Sequence, residues 1–172
     1  MVGALPDDIQ AIRQDTLNRF GTLEWDKCVL TNLVHGHLGI YSILGVKMGL
    51  RALELLEARP EHPGVRVHSF AGNVPPVSCM NDGLQIGTGS TLGRGLITVE
   101  PCERPEAQFS YAGKVLRLSL KPEFARQIEA GVAGARERYG EEPAYWQAVR
   151  EMALEYWSTW DRQLIFNESF AE

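Results

Sequence analysis

The hydrophobic positions along the chain follow two patterns, one typical of helices and one typical of strands. Apolar residues recur at steps of three and four in several stretches, which predicts helices with one face in a core. The predicted helices are a first helix over residues 6–21, a long central helix over 39–58, a short helix over 78–86 and two C-terminal helices over 122–139 and 143–161. The central helix contains four small residues, Gly39, Ser42, Gly45 and Gly49. They indicate that another backbone passes close to this helix, and we expect that neighbour to be the sheet.

Alternating and β-branched runs predict the strands of a sheet. Residues 65–71 alternate so that Val65, Val67 and Ser69 share one face, and residues 96–100 form another strand. Residues 108–120 read as a hairpin that turns at Ala112-Gly113, whereas the prolines of residues 59–64 indicate a loop. The fold class expected is α+β, a mixed or antiparallel sheet packed against a long central helix and C-terminal helices, as a single domain over residues 1–172.

Composition and charge narrow the class of protein. The 172 residues are 44% hydrophobic and 23% charged, which is typical of one soluble globular domain. A formal charge of −5 argues against nucleic acid as a partner, because a nucleic-acid binder needs a concentrated basic face. No apolar stretch is long enough for a membrane helix and no signal peptide opens the chain, so we expect a cytoplasmic protein without a membrane partner. Three cysteines are too few for a disulfide framework.

The first candidate for chemistry is the pair His35 and His37, separated by one glycine at the expected N-terminal end of the central helix. Neutral imidazole is the commonest protein ligand of transition metals. Cys79 opens the short helix, where the helix N-terminus would lower the thiol pKa and favour the thiolate. His35, His37 and Cys79 would give three metal ligands and leave one position open, as in catalytic zinc sites, with Asp82 one turn further on as fourth ligand or supporting partner.

We therefore assign catalytic roles to Cys79 and Asp82. The cofactor expected is a divalent transition metal, zinc in the first place, with iron or nickel as alternatives. The competing interpretation is a chance HGH triplet in which the histidines only cap a helix and Cys79 is a small buried hydrophobe.

The second candidate is the glycine-rich segment GTGSTLGRG at residues 87–95. Its backbone N–H groups could hold an anionic small molecule, together with the side chains of Thr88, Ser90, Thr91 and Arg94. The segment lacks the GK[ST] ending of a phosphate-binding P-loop, so a simple glycine turn is the competing interpretation.

An aromatic stripe marks the last predicted helix. Tyr145, Val149, Met152, Tyr156 and Trp160 follow the helical spacing, which favours a core or an interface over a cofactor site. We expect a homodimer in which an exposed part of this stripe supplies the contact.

The two chemical motifs together resemble a known family. HGHLGIYSILGVKMGLRALELL followed by SCMNDGLQIGTGSTLGRGLITVE is similar to the FmdE family of formylmethanofuran dehydrogenase components, in which an HGH motif opens a long helix and a Cys-x-x-Asp-x-x-Gln segment leads into a glycine loop. The resemblance implies an α+β core, often dimeric, and a metal-binding cleft. It implies that the metal is bound by His35, His37 and Cys79, with Asp82 and Gln85 nearby. Gln85 is therefore a further candidate for cofactor binding, together with the residues of the glycine-rich segment.

The chain departs from the family pattern at three positions. Gly39 stands where the family commonly has cysteine, Ser90 replaces the cysteine of the glycine loop, and Arg94 replaces a lysine. Two soft ligands are therefore missing, and any metal must be held by a harder ligand set.

Three hypotheses of function follow. The first is a metal-binding protein, either a small metal-dependent enzyme or an accessory protein of one-carbon or redox metabolism. The second is a metal-free module that binds an anionic small molecule or cofactor at residues 87–95. The third is a structural component whose aromatic C-terminal helix docks on a larger oxidoreductase complex.

Overall fold

The computed structural model describes residues 5–58 and 64–171 of the 172-residue chain. The α-helices are α1 (Asp7–Ala11), α2 (Arg13–His35), α3 (Ile40–Leu56), α4 (Met80–Thr88), α5 (Pro122–Tyr139) and α6 (Pro143–Thr159). The strands are β1 (Arg66–Ser69), β2 (Ile97–Val99), β3 (Glu106–Tyr111), β4 (Lys114–Leu120) and β5 (Phe166–Phe170). Short 3₁₀ turns cover Val77–Cys79 and Leu92–Arg94. The loop predicted for residues 59–64 falls outside the described residues except for Gly64.

The five strands form one mixed sheet in the order β2-β1-β3-β4-β5. β1 and β2 run parallel, and the other neighbouring pairs are antiparallel. Val65, Val67 and Ser69 are buried on one face of β1, as the alternation predicted. The α+β class is therefore confirmed.

The edge strand β5 was not predicted. It pairs with β4 from Phe166 opposite Leu120 to Phe170 opposite Leu116. Only Phe166 is buried in this strand, so its sequence shows no alternation that could have revealed it.

Helix α2 is longer than its sequence indicated. We expected a helix that ends at Gly21, but the helix resumes after a non-helical Gly21 and continues to His35. The buried side chains of its second half include Glu24 and Thr31, whose polarity hides the helical spacing of the buried face. His35 is therefore the last residue of α2, and its ring lies beside Gly39, the residue that precedes α3, so His35 is close to the N-terminal end of the central helix as expected.

The central helix α3 packs against α4, and the expectation that its small residues face the sheet is wrong. A Cβ atom built on Gly45 would overlap the carbonyl oxygen of Met80, and one built on Gly83 would overlap that of Ser42. Glycine is required at these positions because the two backbones touch. This contact fixes the position of α4, and with it Cys79 and Asp82, relative to the start of α3.

The aromatic stripe of α6 belongs to the core. Tyr145, Tyr156 and Trp160 are buried, and the rings of Tyr156 and Trp160 stack at a centroid distance of 3.9 Å. The stripe is thus largely used inside the chain, which leaves little of it for the contact between protomers that we expected. None of the helices within residues 5–58 and 64–171 is long and apolar enough to cross a membrane.

Candidate functional site

The histidine pair lies in the short connection between α2 and α3. His35 is the last residue of α2, and Gly36 ends that helix in the left-handed conformation, with φ 84°. This turn brings His37 back towards His35, so that the two imidazole rings lie with their centroids 4.4 Å apart. Glycine is needed at position 36 because other residues adopt this backbone conformation only at a cost.

Asp82 of α4 holds one side of the His35 ring. The distance between His35 Nδ1 and Asp82 Oδ2 is 2.7 Å, and the His35 side chain is only 10% exposed. Because an ionised carboxylate can only accept, the Nδ1–H of His35 donates this bond. In a neutral ring Nε2 then carries the free lone pair. A carboxylate behind an imidazole in this way is the usual support of a metal-ligating histidine.

The other ring nitrogen of His35 has no partner among the described residues. Nε2 is buried from solvent and forms no hydrogen bond. An unsatisfied buried polar atom costs about 1–3 kcal/mol, so native proteins rarely keep one without a reason. Binding of a metal ion or another ligand at this nitrogen is one such reason.

Gly39 lies beside Nε2 and places no side chain against it. A Cβ atom built on Gly39 would lie 3.5 Å from His35 Nε2 and 3.2 Å from Ser42 Oγ. The Ser42 hydroxyl is buried and donates to the Gly39 carbonyl oxygen at 2.9 Å. From the sequence, Gly39 and Ser42 stood out as small residues, and Gly39 also as a departure from the family pattern. The sequence signal for this arrangement was that Gly39 and Ser42 are three residues apart at the start of the helix that follows HGH.

His37 is more exposed than His35. Partial burial lowers its pKa, and the electrostatic interactions with His35 and Arg150 act in the same direction. The ring is therefore mainly neutral at neutral pH, which is the form that binds metal ions.

Cys79 is a half-buried free thiol directly before α4. We expected the helix N-terminus to lower its pKa, and this expectation is wrong. Burial raises the pKa of Cys79, and the negative charge of Asp82 raises it further. The thiol is therefore protonated at neutral pH unless a cation binds next to it.

The donor atoms fit a transition metal only in part. Within the parts of the chain that the structure describes, no group of three or more His, Cys, Asp or Glu side chains is arranged to hold a metal ion. His35, supported by Asp82, and the neutral His37 supply the nitrogen donors that such a metal prefers. The structure does not bring Cys79 into one preformed group with both histidines, so the three-ligand centre stays a prediction.

The polar groups of the glycine-rich segment form hydrogen bonds within the segment and with neighbouring residues of the protein. Thr88 Oγ1 donates to the Leu84 carbonyl and accepts from the Ser90 N–H, and the buried Ser90 hydroxyl donates to the Val65 carbonyl.

The side chains of Gln85 and Arg94 also bind the backbone of the segment. Gln85 Oε1 accepts from the Leu92 N–H, and Arg94 Nη1 donates to the Gly89 carbonyl. The Thr91 carbonyl accepts from the N–H groups of Arg94 and Leu96. This arrangement describes a closed turn, and its use as an anion site stays a prediction.

Comparison with known proteins identifies relatives of this chain. A family model described as "FmdE, Molybdenum formylmethanofuran dehydrogenase operon" matches residues 34–167. Among solved structures, the chain is similar to an FmdE-like protein of the tungsten formylmethanofuran dehydrogenase type from Syntrophus aciditrophicus, with 17% identity and a TM-score of 0.48 over 82% of this chain and 67% of that chain. No match was found among curated proteins.

Proposed function

This chain belongs to the FmdE family, and on that premise we propose that it binds a divalent transition metal at His35 and His37. The observation that carries the proposal is the buried Nε2 of His35, which has no hydrogen-bond partner in residues 5–58 and 64–171, while the opposite ring nitrogen is fixed by Asp82. Zinc is the metal that we propose first, with iron or nickel as alternatives, because imidazole suits all three.

Each residue of the proposed site has its own task. Asp82 keeps His35 in the tautomer that points a lone pair at the metal, so we now assign it a supporting role. His37 offers a second nitrogen, already neutral at neutral pH. Cys79 is the proposed third donor and must lose its proton when the metal binds. A bound metal ion would polarise a substrate oxygen or lower the pKa of a bound water to about 7.

The wider role that we propose is that of a metal-dependent enzyme or an accessory protein of one-carbon or redox metabolism. Support comes from the description of the family, which names the molybdenum formylmethanofuran dehydrogenase operon. A larger oxidoreductase complex is the corresponding proposed partner.

We also propose a homodimer. Since the aromatic stripe is largely buried, the support now comes from exposed apolar side chains on α2, namely Leu30, Leu33 and Val34. These residues lie in the two turns that lead to His35. Sedimentation velocity at micromolar concentration should give the mass of two chains, and a monomer would contradict the proposal.

The metal site can be tested by zinc titration of protein made without a histidine tag, followed by calorimetry. We expect saturable binding to the wild type, loss of binding in His35→Ala and an affinity about 10–100-fold weaker in Asp82→Asn. His68→Ala is the matched control, because both ring nitrogens of His68 already have partners, Thr98 and Glu100. Equal zinc binding by His35→Ala and the wild type would overturn the site.

The role of Cys79 needs a separate experiment. If Cys79 is a ligand, bound zinc should protect it from alkylation and a chelator should remove the protection, whereas Cys102 should react alike in both states. Equal alkylation rates of Cys79 with and without zinc would leave the histidines as the only protein ligands.

A further inference from the structure

We propose that the free edge of β5 binds an extended segment of another protein, which adds a strand to the sheet. The segment carries an apolar residue opposite Phe170 and a basic residue opposite Glu168. None of the residues of this edge belongs to the proposed metal site, so the two proposals can fail separately.

The hydrogen bonds between β4 and β5 show which backbone groups of β5 point outwards. The Ala171 N–H donates to the Val115 carbonyl at 2.9 Å. At the other end of the pair, the Lys121 N–H donates to the Ile165 carbonyl at 2.9 Å. In an antiparallel pair only every second residue exchanges hydrogen bonds with its neighbour. The odd-numbered residues of β5 therefore bind β4, and the even-numbered residues direct their N–H and C=O groups away from the sheet.

Three residues of β5 thus present their backbone at the edge of the sheet, Phe166, Glu168 and Phe170. No other element of the described chain bonds these groups. Proteins commonly protect such an edge with proline, lysine, a bulge or a charge that points inwards. The strand FNESF has no proline or lysine, and its pairing with β4 has no bulge. Its one charge is neutralised, because Arg51 Nε donates to Glu168 Oε1 at 2.6 Å.

Exposed apolar side chains lie at both ends of this edge. Phe170 is 50% exposed, and Leu164, two residues before the strand, is 62% exposed. Phe170 pairs with the buried Leu116 of β4, so both side chains lie on the face of the sheet that forms the core. A strand with an apolar residue opposite Phe170 would extend this face and remove apolar surface from water.

The charge of Glu168 argues against a second copy of this chain as the occupant. Two antiparallel copies of β5 pair all five residues in one register, which places Glu168 opposite its own copy. Like charges directly opposite each other destabilise a sheet. A partner strand with lysine or arginine at this position avoids the repulsion, and its cation can share the carboxylate with Arg51.

The experiment is a titration of ¹⁵N-labelled protein with two synthetic peptides, acetyl-TVTKTVT-amide and acetyl-TVTETVT-amide, followed by ¹H–¹⁵N spectra. Each peptide reads the same in both directions, so either strand orientation can place its central residue opposite Glu168. We expect saturable shifts of the backbone amides of Phe166, Glu168 and Phe170 with the lysine peptide. The glutamate peptide should bind at least about threefold more weakly.

The decisive variant is Glu168→Pro, with Glu168→Ala as its matched control. Both variants lose the ion pair with Arg51, but only proline removes the outward N–H group. Because this N–H makes no bond to β4, both variants should fold. We expect Glu168→Pro to bind the lysine peptide at least about fivefold more weakly than Glu168→Ala.

Three outcomes would overturn the proposal. The first is a wild-type titration in which the amides of β5 do not shift, and the second is equal affinity of the two variants for the lysine peptide. The third comes from sedimentation velocity: a dimer in Glu168→Ala that becomes a monomer in Glu168→Pro would show that the edge binds a second copy. If Glu168→Pro fails to fold, the two peptides still decide on the wild type, because equal affinities would contradict a basic partner residue.

Discussion

Two buried polar clusters lie along α3, and they differ in whether their hydrogen bonds are complete. In the middle of the helix, the fully buried Lys47 Nζ donates to Glu24 Oε1 at 2.6 Å and to the Trp160 carbonyl at 2.7 Å, and it lies 4.1 Å from the centre of the Phe20 ring. The other Glu24 oxygen accepts from Arg162 at 2.9 Å. This cluster ties α2 and α3 to the segment that follows α6.

The cluster at the start of α3 is incomplete. His35 has one nitrogen bound to Asp82 and the other without a partner among the described residues. A buried polar network with all its hydrogen bonds formed stabilises one fold. A network with one atom unbonded keeps a lone pair available for a ligand, at a cost in stability. From this comparison we expect the Lys47 cluster to stabilise the fold and the His35 cluster to bind a ligand. The variants below test this difference in role.

The largest effect is expected from Glu24→Ala, which leaves the Lys47 ammonium buried without its carboxylate. Breaking a buried pair in this way costs about 3–5 kcal/mol of unfolding free energy. His35→Ala should cost about 1 kcal/mol or less, because it removes one hydrogen bond together with an unsatisfied atom. Urea unfolding of both variants measures the difference. The division fails if His35→Ala is the more destabilising of the two.

The next effect concerns the contact that brings Asp82 to His35. Gly83→Ala would push α4 away from α3, because the new Cβ meets the Ser42 carbonyl oxygen, and we expect a loss of about 1–3 kcal/mol or more together with weaker zinc binding. Gly134→Ala in α5 is the control. A Cβ there meets no atom of the described residues within 4 Å, so the change should stabilise the protein by up to about 1 kcal/mol. Equal melting temperatures of the two variants would contradict this packing.

The smallest effect is a pH dependence that comes from His37. Its pKa in the folded protein lies below the ordinary value of 6.5, so the unfolded chain takes up the proton first as the pH falls. Stability of the metal-free protein should therefore be intact above about pH 6.5 and decline as the pH falls towards the lowered pKa. His37→Gln should lose less stability than the wild type between about pH 7.5 and 5.5, measured by urea unfolding. Parallel losses would show that burial of His37 does not perturb its titration.

The sequence predicted those parts of the fold that follow from local periodicity. The apolar spacing of α3 and the alternation of β1 were sufficient for both elements. The second half of α2 was missed because Glu24 is buried, and its burial depends on Lys47, which lies 23 residues further along the chain. β5 was missed because pairing with β4, not its own pattern, makes it a strand.

The candidate site was only partly predictable for a similar reason. HGH and Cys-x-x-Asp singled out His35 and Asp82, which the structure brings together, but the bond between them joins residues 47 positions apart. It depends on the glycine contact between α3 and α4, whereas the small residues of α3 were expected to face the sheet. The raised pKa of Cys79 likewise follows from burial and from Asp82, which the position of Cys79 before a helix did not indicate.

The most direct test of a metal site at this histidine is to observe His35 Nε2 itself. Long-range ¹H–¹⁵N spectra of ¹⁵N-labelled, tag-free protein resolve the two nitrogens of each histidine, and the His35→Ala spectrum assigns its signals. Without metal, we predict that the proton shared with Asp82 lies on Nδ1. One equivalent of zinc should shift Nε2 of His35 and leave His68 unchanged. A His35 Nε2 signal that does not move when zinc is added would contradict the claim that this nitrogen is kept open for a metal.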